Sequence, residues 1–311
     1  MEPRTFAREA IASIKETVGD GTAISALSGG VDSAVVTVLG HKALGKRLKV
    51  IFIDDGLMRE GEPQEVKDAF AKLGIKVKVV NVKKRFFEAL AGNTDPEDKR
   101  KAFRHTFYQV LGEAVKASGA TFLLQGTIAA DVIETKKGVK TQHNVLEQIG
   151  IDSESGYGFQ ALEPIKTLFK PDVRRVGRTV GLPKAFSERI PFPGPGLATR
   201  CLGEVTPKRV AIVRKACKIV EEETAKAKPF QAFAVLLEDR ATGLKKNGRR
   251  AFGHIVVVRS VQSEDAMTAD ATKLTWPVLE RIRDRILEAC PTVTKVLYDL
   301  TGKPPSTIEY I

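Results

Sequence analysis

Cysteine is scarce in this chain, with three in 311 residues, at Cys201, Cys217 and Cys290. They lie far apart, odd in number, with no C-x-x-C pair. That spacing argues against a disulfide framework and against a zinc knuckle. Histidine is as sparse: His41, His105, His143 and His254 are dispersed and form no H-E-x-x-H, so no transition-metal site is expected. No apolar run approaches the length of a membrane span, and Met1-Glu2-Pro3-Arg4 lacks the apolar core of a signal peptide. The expectation is a cytoplasmic protein that engages no membrane. Long Lys/Arg blocks interleaved with aromatics are missing too, despite a net charge of +12. Such a charge can mark a nucleic-acid partner or a field that draws in small polyanions such as nucleotides. The scatter of the basic residues favours nucleotides, and no nucleic-acid partner is expected.

What the chain does have is Ser28-Gly29-Gly30-Val31-Asp32-Ser33. Ahead of it runs the apolar, β-compatible Thr22–Leu27; after it, Ala34–Leu39 is apolar and continues as a helix. Two glycines, two serines and an aspartate thus sit at a strand-to-helix turn. Glycines let backbone approach a ligand closely, and the N–H groups of a helix start point at an anion that the helix dipole favours. The Ser28 and Ser33 hydroxyls add donors, and Asp32 can hold a divalent cation beside phosphates. The plainer reading is a helix cap made of Ser and Asp. Gly40 to Arg47 imitates a Walker A loop but ends in Arg and follows a helix, so Gly45 reads as a helix C-terminal glycine.

Residues 1–188 alternate. A first helix sets Phe6, Ala10, Ile11, Ile14 and Val18 on one face. Strands are expected at 22–27, 50–54, 76–81 and 121–125, and helices near 33–44, 62–73 and 98–118. Nearly all-apolar strands alternating with helices imply α/β architecture, a doubly wound parallel sheet covered on both faces. Ligands of such sheets bind at the carboxyl ends of the strands. Three such ends carry polar or glycine residues: Ser28-Gly29-Gly30, Asp54-Asp55-Gly56 and Gln125-Gly126-Thr127. The polar stretch 135–160 reads as a lid or a plain exposed loop. The run Arg189-Ile190-Pro191-Phe192-Pro193-Gly194-Pro195-Gly196 breaks the pattern and sets a boundary at 188/189. A smaller α+β unit over 189–311 follows, with helices near 206–228 and 275–289 and strands near 232–237, 254–260 and 294–298.

The Ser28–Ser33 turn resembles the SGGxDS loop of the N-type ATP pyrophosphatases, which cut ATP between the α and β phosphates and pass AMP to a substrate. Phe192-Pro193-Gly194-Pro195-Gly196-Leu197-Ala198, Met267-Thr268-Ala269-Asp270 and the stretch from Tyr298 to Glu309 resemble signatures of the GMP synthetase family. Gln125-Gly126-Thr127, Asp131-Val132-Ile133-Glu134 and Glu163 to Lys170 look like further segments of it, in the family's order. The resemblance implies that ATP adenylylates O2 of xanthosine monophosphate (XMP), releasing pyrophosphate, and that ammonia then displaces AMP to give GMP. It implies ATP-binding roles for Ser28, Gly29, Gly30, Val31, Asp32, Ser33, Ala34, Ile53 and Gly126, and catalytic roles for Ser28, Asp32 and Lys170, with Mg²⁺ on Asp32. It also implies XMP-binding roles for Arg100, Arg250, Lys303 and Glu309, and a homodimer through the C-terminal unit.

Departures from the family are also legible. The lid reads Gln142-His143-Asn144-Val145-Leu146-Glu147-Gln148 where relatives often have HHNVGGLP. No glutamine amidotransferase domain is seen; Cys201 lacks the glycine two residues earlier that a nucleophile elbow needs. The resemblance is therefore to a separate synthetase subunit that takes ammonia from a glutamine amidotransferase partner. A tRNA-thiolating enzyme would suit the positive charge but calls for paired cysteines. A non-catalytic nucleotide-binding module would not need the C-terminal signatures.

Overall fold

The computed structural model describes residues 2–136, 159–244, 248–264 and 266–311. Most of the expected lid, at 137–158, lies outside the described residues. The chain divides into two compact units that are not simply successive. The first comprises residues 1–54, 62–81 and 105–189; the second takes 55–61, 82–104 and 190–311.

The first unit is built on five parallel strands in the order β3-β2-β1-β4-β5. They are β1 (Ala23–Leu27), β2 (Leu48–Asp54), β3 (Val77–Asn81), β4 (Phe122–Leu124) and β5 (Gln160–Leu162). Helix α1 (Pro3–Val18) packs on α2 (Val31–Leu44). The α2 helix buries Val31, Ala34, Val35, Val36, Val38 and Leu39. An apolar surface on nearly every side is what a helix needs when sheet and helices both cover it. Gly45 caps α2 at φ +57°, as its sequence context suggests. Helices α3 (Glu62–Ala71) and α6 (Ala129–Lys136) also belong here, whereas α4 (Lys83–Leu90) falls in the second unit and α5 (Pro96–Ser118) begins in the second unit and ends in the first. Beyond β5 come α7 (Lys170–Thr179), which packs on α1 and α2, and the short α8 (Lys184–Ser187).

Parallel pairing brings the strand ends to one side. Leu27 of β1 pairs with Phe52 of β2, and Ser25 with Leu124 of β4. The doubly wound sheet expected from the alternation is present, with the strand β5 and the helices α6, α7 and α8 as additions. The edge strand β5 is three residues long, too short to show a period.

The second unit holds β6 (Gln231–Leu244) and β7 (Arg250–Gln262) as an antiparallel pair. Strand β8 (Asp270–Ala271) joins β7 antiparallel and β9 (Val293–Tyr298) joins it parallel. Helix α9 (Pro207–Thr224) starts at Thr206, whose hydroxyl accepts from the Arg209 N–H at 3.3 Å. It buries Val210, Val213, Ala216, Cys217 and Val220 against β6 and α10 (Trp276–Ala289). Both long strands outrun their apolar stretches. Past a register shift between Leu236 and Arg240, β6 is largely exposed, so the apolar signal stops where burial stops. No helix among the described residues is long and apolar enough to cross a membrane.

One buried polar contact joins β1 to α2: the hydroxyls of Ser25 and Thr37 lie 2.8 Å apart with no solvent access. Thr37→Val strands the Ser25 hydroxyl, and urea unfolding is expected to show a loss of about 1–3 kcal/mol. The Ser25→Ala/Thr37→Val double variant is expected to lie closer to the wild type, because neither polar group then remains.

Candidate active site

The turn after β1 is held by its own serines. Ser28 Oγ lies 3.0 Å from Ser33 Oγ, which also accepts from the Ser28 N–H at 3.1 Å and donates to the Gly30 carbonyl at 3.2 Å. Gly29 has φ +74°, a conformation that side chains oppose. Gly30 is the N-cap of α2 and makes no side-chain capping bond. The plainer reading of this segment as a Ser/Asp cap is therefore not realised. The helix start keeps its N–H groups uncapped by side chains, the condition for holding an anion.

Lys170, the first residue of α7, reaches this turn and pairs with Asp32 Oδ2. The other oxygen, Asp32 Oδ1, is buried and makes no hydrogen bond among the described residues. Burial pushes the Asp32 carboxyl above the ordinary Asp value; Lys170 and Arg174 pull it back and Asp131 adds to the rise. Gly126, after β4, lies against the same turn: a Cβ there would stand 2.9 Å from the Ser33 nitrogen and 3.0 Å from the Asp32 carbonyl carbon. The adjoining Thr127 hydroxyl donates to Glu163 Oε1 at 2.6 Å, and Asp131 Oδ2 accepts from the Ile128 N–H at 3.1 Å. Ile53 is buried one residue past the Leu27–Phe52 pair, level with Ser28. Ser28 to Ala34, Ile53, Gly126 and Lys170 all belong to the first unit.

The other four candidates fall in the second unit. Arg100 pairs with Glu97 one turn earlier on α5, and Arg250 is exposed at the start of β7 opposite Leu244. Lys303 exchanges backbone hydrogen bonds with Ala269 at 2.6 and 3.1 Å, and its Nζ donates to the Ala266 carbonyl at 2.9 Å. Glu309 receives two hydrogen bonds from Arg200, at 3.0 and 3.3 Å, and another from Gln231. No hydrogen bond or ion pair joins Arg100 or Arg250 to Lys303 or Glu309 among the described residues.

Two arginines missed in the sequence organise this tail. Arg200 is 1% exposed, with its guanidinium 4.2 Å from the Phe233 ring centroid and 4.9 Å from that of Phe192. Arg259, fully buried, donates to Asp299 Oδ2 at 2.5 Å and to the carbonyls of Thr301, Thr307 and Ile308 at 3.0, 2.6 and 2.9 Å. An arginine inside Val256-Val257-Val258-Arg259-Ser260-Val261 was the available signal. In the first unit, Glu62 and Arg189 flank Gly29 and were equally unannounced.

Fold and turn together define an α/β protein whose first strand–turn–helix leaves the helix start uncapped by side chains, joined in sequence to a smaller α+β unit. Residues 7–194 match the family model described as NAD synthase, and residues 218–310 the one described as GMP synthase C terminal domain. The chain is similar to the B subunit of the glutamine-hydrolyzing GMP synthase of Archaeoglobus fulgidus, 49% identical over 311 residues and 100% of both chains. It is 46% identical to that of Methanopyrus kandleri over 321 residues, covering 100% of this chain and 99% of the relative. With that of Thermococcus kodakarensis identity is 49% over 308 residues and 98% of both. The chain belongs to the GMP synthase B-subunit family.

Asp32→Asn removes a half-buried charge whose folded pKa is raised. The folded state binds the extra proton between the ordinary and the raised pKa, so the charged carboxylate lowers stability as pH rises through that window. The variant is expected to melt no lower than the wild type at neutral pH, while ATP cleavage falls by roughly 10²–10³. Lys170→Met removes the main group lowering that pKa, so the acid limb of the ATP-cleavage pH profile is expected to move up. In the tail, Glu309→Ala leaves Arg200 buried without its carboxylate and is expected to cost about 3 kcal/mol, whereas Lys303→Ala stays within about 0.5 kcal/mol in urea unfolding.

Proposed function

We infer that this chain makes GMP. ATP adenylylates XMP at O2 with release of pyrophosphate; ammonia then attacks C2 and AMP leaves with the oxygen. The observation that carries this reading is the turn of 28–33, uncapped by side chains and faced by Lys170, in a chain of the GMP synthase B-subunit family. Charge on two polyanions is stabilised mainly by fixed donors and cations, with no covalent protein nucleophile required.

In this reading Ser28 to Ala34 hold the β and γ phosphates of ATP, Ile53 and Gly126 line the nucleotide, and Lys170 moves from Asp32 toward phosphate. Arg100, Arg250, Lys303 and Glu309 bind XMP. The orphaned, buried Asp32 Oδ1 fits a Mg²⁺ ligand. Among the described residues no group of three or more His, Cys, Asp or Glu gathers to hold a metal. One carboxylate together with substrate phosphates is the usual way magnesium is held. When bound, the ion supplies charge neutralisation at those phosphates. The raised pKa of Asp32 makes its ionisation, and so metal retention, sensitive to acid.

Ammonia comes from a partner, a glutamine amidotransferase subunit. Releasing it from glutamine needs an activated thiol. All three cysteines here are buried, and burial pushes each thiol up from its ordinary value. Such thiols are inert, which also weighs against sulfur transfer to tRNA. A chain of net charge +12 suits an acidic face on that partner. The reading includes a cytoplasmic location and a homodimer through the second unit, where Phe252, Leu297 and Leu300 are exposed apolar side chains.

The purified chain is expected to form GMP from ATP, XMP and ammonium, with pyrophosphate release that depends on XMP. With glutamine as sole nitrogen source and ammonium removed it is expected to form none until the partner is added. GMP from glutamine by the chain alone would overturn the partner requirement; pyrophosphate release indifferent to XMP would overturn the substrate.

A further inference from the structure

The carbonyl of Gly29 accepts from Arg189 Nη1 at 3.3 Å. The same nitrogen lies 2.5 Å from Glu62 Oε1, and Nη2 lies 3.1 Å from Glu65 Oε2. Glu62 is 1% exposed and sits so close under the turn that a Cβ on Gly29 would collide with its Oε1. Arg189 is itself fixed. Arg174 donates to its carbonyl at 3.2 Å and to that of Ser187, and the Arg189 guanidinium lies 5.0 Å from the Phe186 ring centroid.

These contacts constrain one peptide plane. In a trans peptide the C=O and the following N–H point in opposite directions. Holding the Gly29 carbonyl on Arg189 therefore turns the Gly30 N–H away from the Glu62 and Glu65 carboxylates. That N–H makes no hydrogen bond among the described residues. We propose that Arg189 is a positioning residue of the phosphate turn: it orients the Gly29–Gly30 peptide so that its N–H serves the ATP phosphates, and it shields them from the Glu62 charge.

The inference rests on the reading of this turn as the ATP phosphate site. It makes Arg189 specific for the β and γ phosphates rather than for the nucleoside or for XMP. A role confined to structure would weaken all ligands alike.

Calorimetry with ATP, pyrophosphate, AMP and XMP in the presence of Mg²⁺ tests it on the full chain. The proteins are the wild type, Arg189→Lys, Arg189→Met and Arg189→Met/Glu62→Gln. Losing one aimed donor to a charged ligand is expected to weaken ATP and pyrophosphate about tenfold in Arg189→Met and to leave AMP and XMP unchanged. The double variant, with the facing charge also removed, is expected to regain melting temperature but not ATP affinity. Arg189→Lys keeps a charge without the two-armed geometry and is expected to lower the ATP-to-AMP affinity ratio; it carries the comparison if Arg189→Met does not fold. Unchanged ATP affinity in the Arg189 variants, equal weakening of ATP and AMP, or recovery of ATP affinity together with stability in the double variant would overturn the proposal. A wild type that binds neither ATP nor pyrophosphate would instead overturn the phosphate-site reading, and this inference with it.

Discussion

The first unit depends on keeping one helix end unfinished. Helix α2 begins at a glycine with no side-chain cap, in a fold where nearly every other face of that helix is buried. Uncapped N–H groups at a buried helix start are a standing cost, and the surrounding residues are arranged to hold it rather than relieve it. Ser33 directs its hydroxyl at Ser28 and at the Gly30 carbonyl, not at the helix N–H groups. Gly126 keeps the neighbouring strand end from crowding the turn. Asp32 stays half-buried against its own preference for water, with Lys170 as countercharge. A protein selected for stability alone would place Ser or Asp at the position of Gly30.

The second unit inverts the arrangement. Two of its most deeply buried polar groups are the cations Arg200 and Arg259, whose partners include main-chain carbonyls and carboxylates of the tail. Arg259 alone ties four points between Asp299 and Ile308. Arg200 does the same for Glu309 from between two aromatic rings. Interior guanidiniums need several acceptors each, and a segment with no regular structure can supply its carbonyls to them. The tail is thereby fixed without strand or helix.

Periodicity made most of the sheet and its helices legible, because nearly all-apolar strands and long helices leave strong signals. The five-stranded order could not be complete, since Gln160-Ala161-Leu162 is too short to carry a pattern. In the second unit the apolar runs marked only the buried halves of β6 and β7. The turn at 28–33 was readable because its chemistry is contiguous: five of its six residues are Gly, Ser or Asp. Arg189, Glu62, Arg200 and Arg259 were not, for a physical reason. Their roles come from burial and from carbonyl and carboxylate partners between 40 and 160 residues away, and a charged residue in a sequence reads by default as a solvated one.

The interleaving of the two units has a consequence for the order in which the chain can mature. Residues 55–61 and 82–104 emerge early in synthesis, yet they belong with 190–311. All strands of the first unit are present once residue 162 has been made, and its last residues arrive by 189. The second unit must wait much longer: Arg259 has no acceptors for its guanidinium until residues 299–308 exist. The nascent chain therefore carries two early segments as unplaced excursions from a domain that is otherwise ready, and they find their places only near the end of translation.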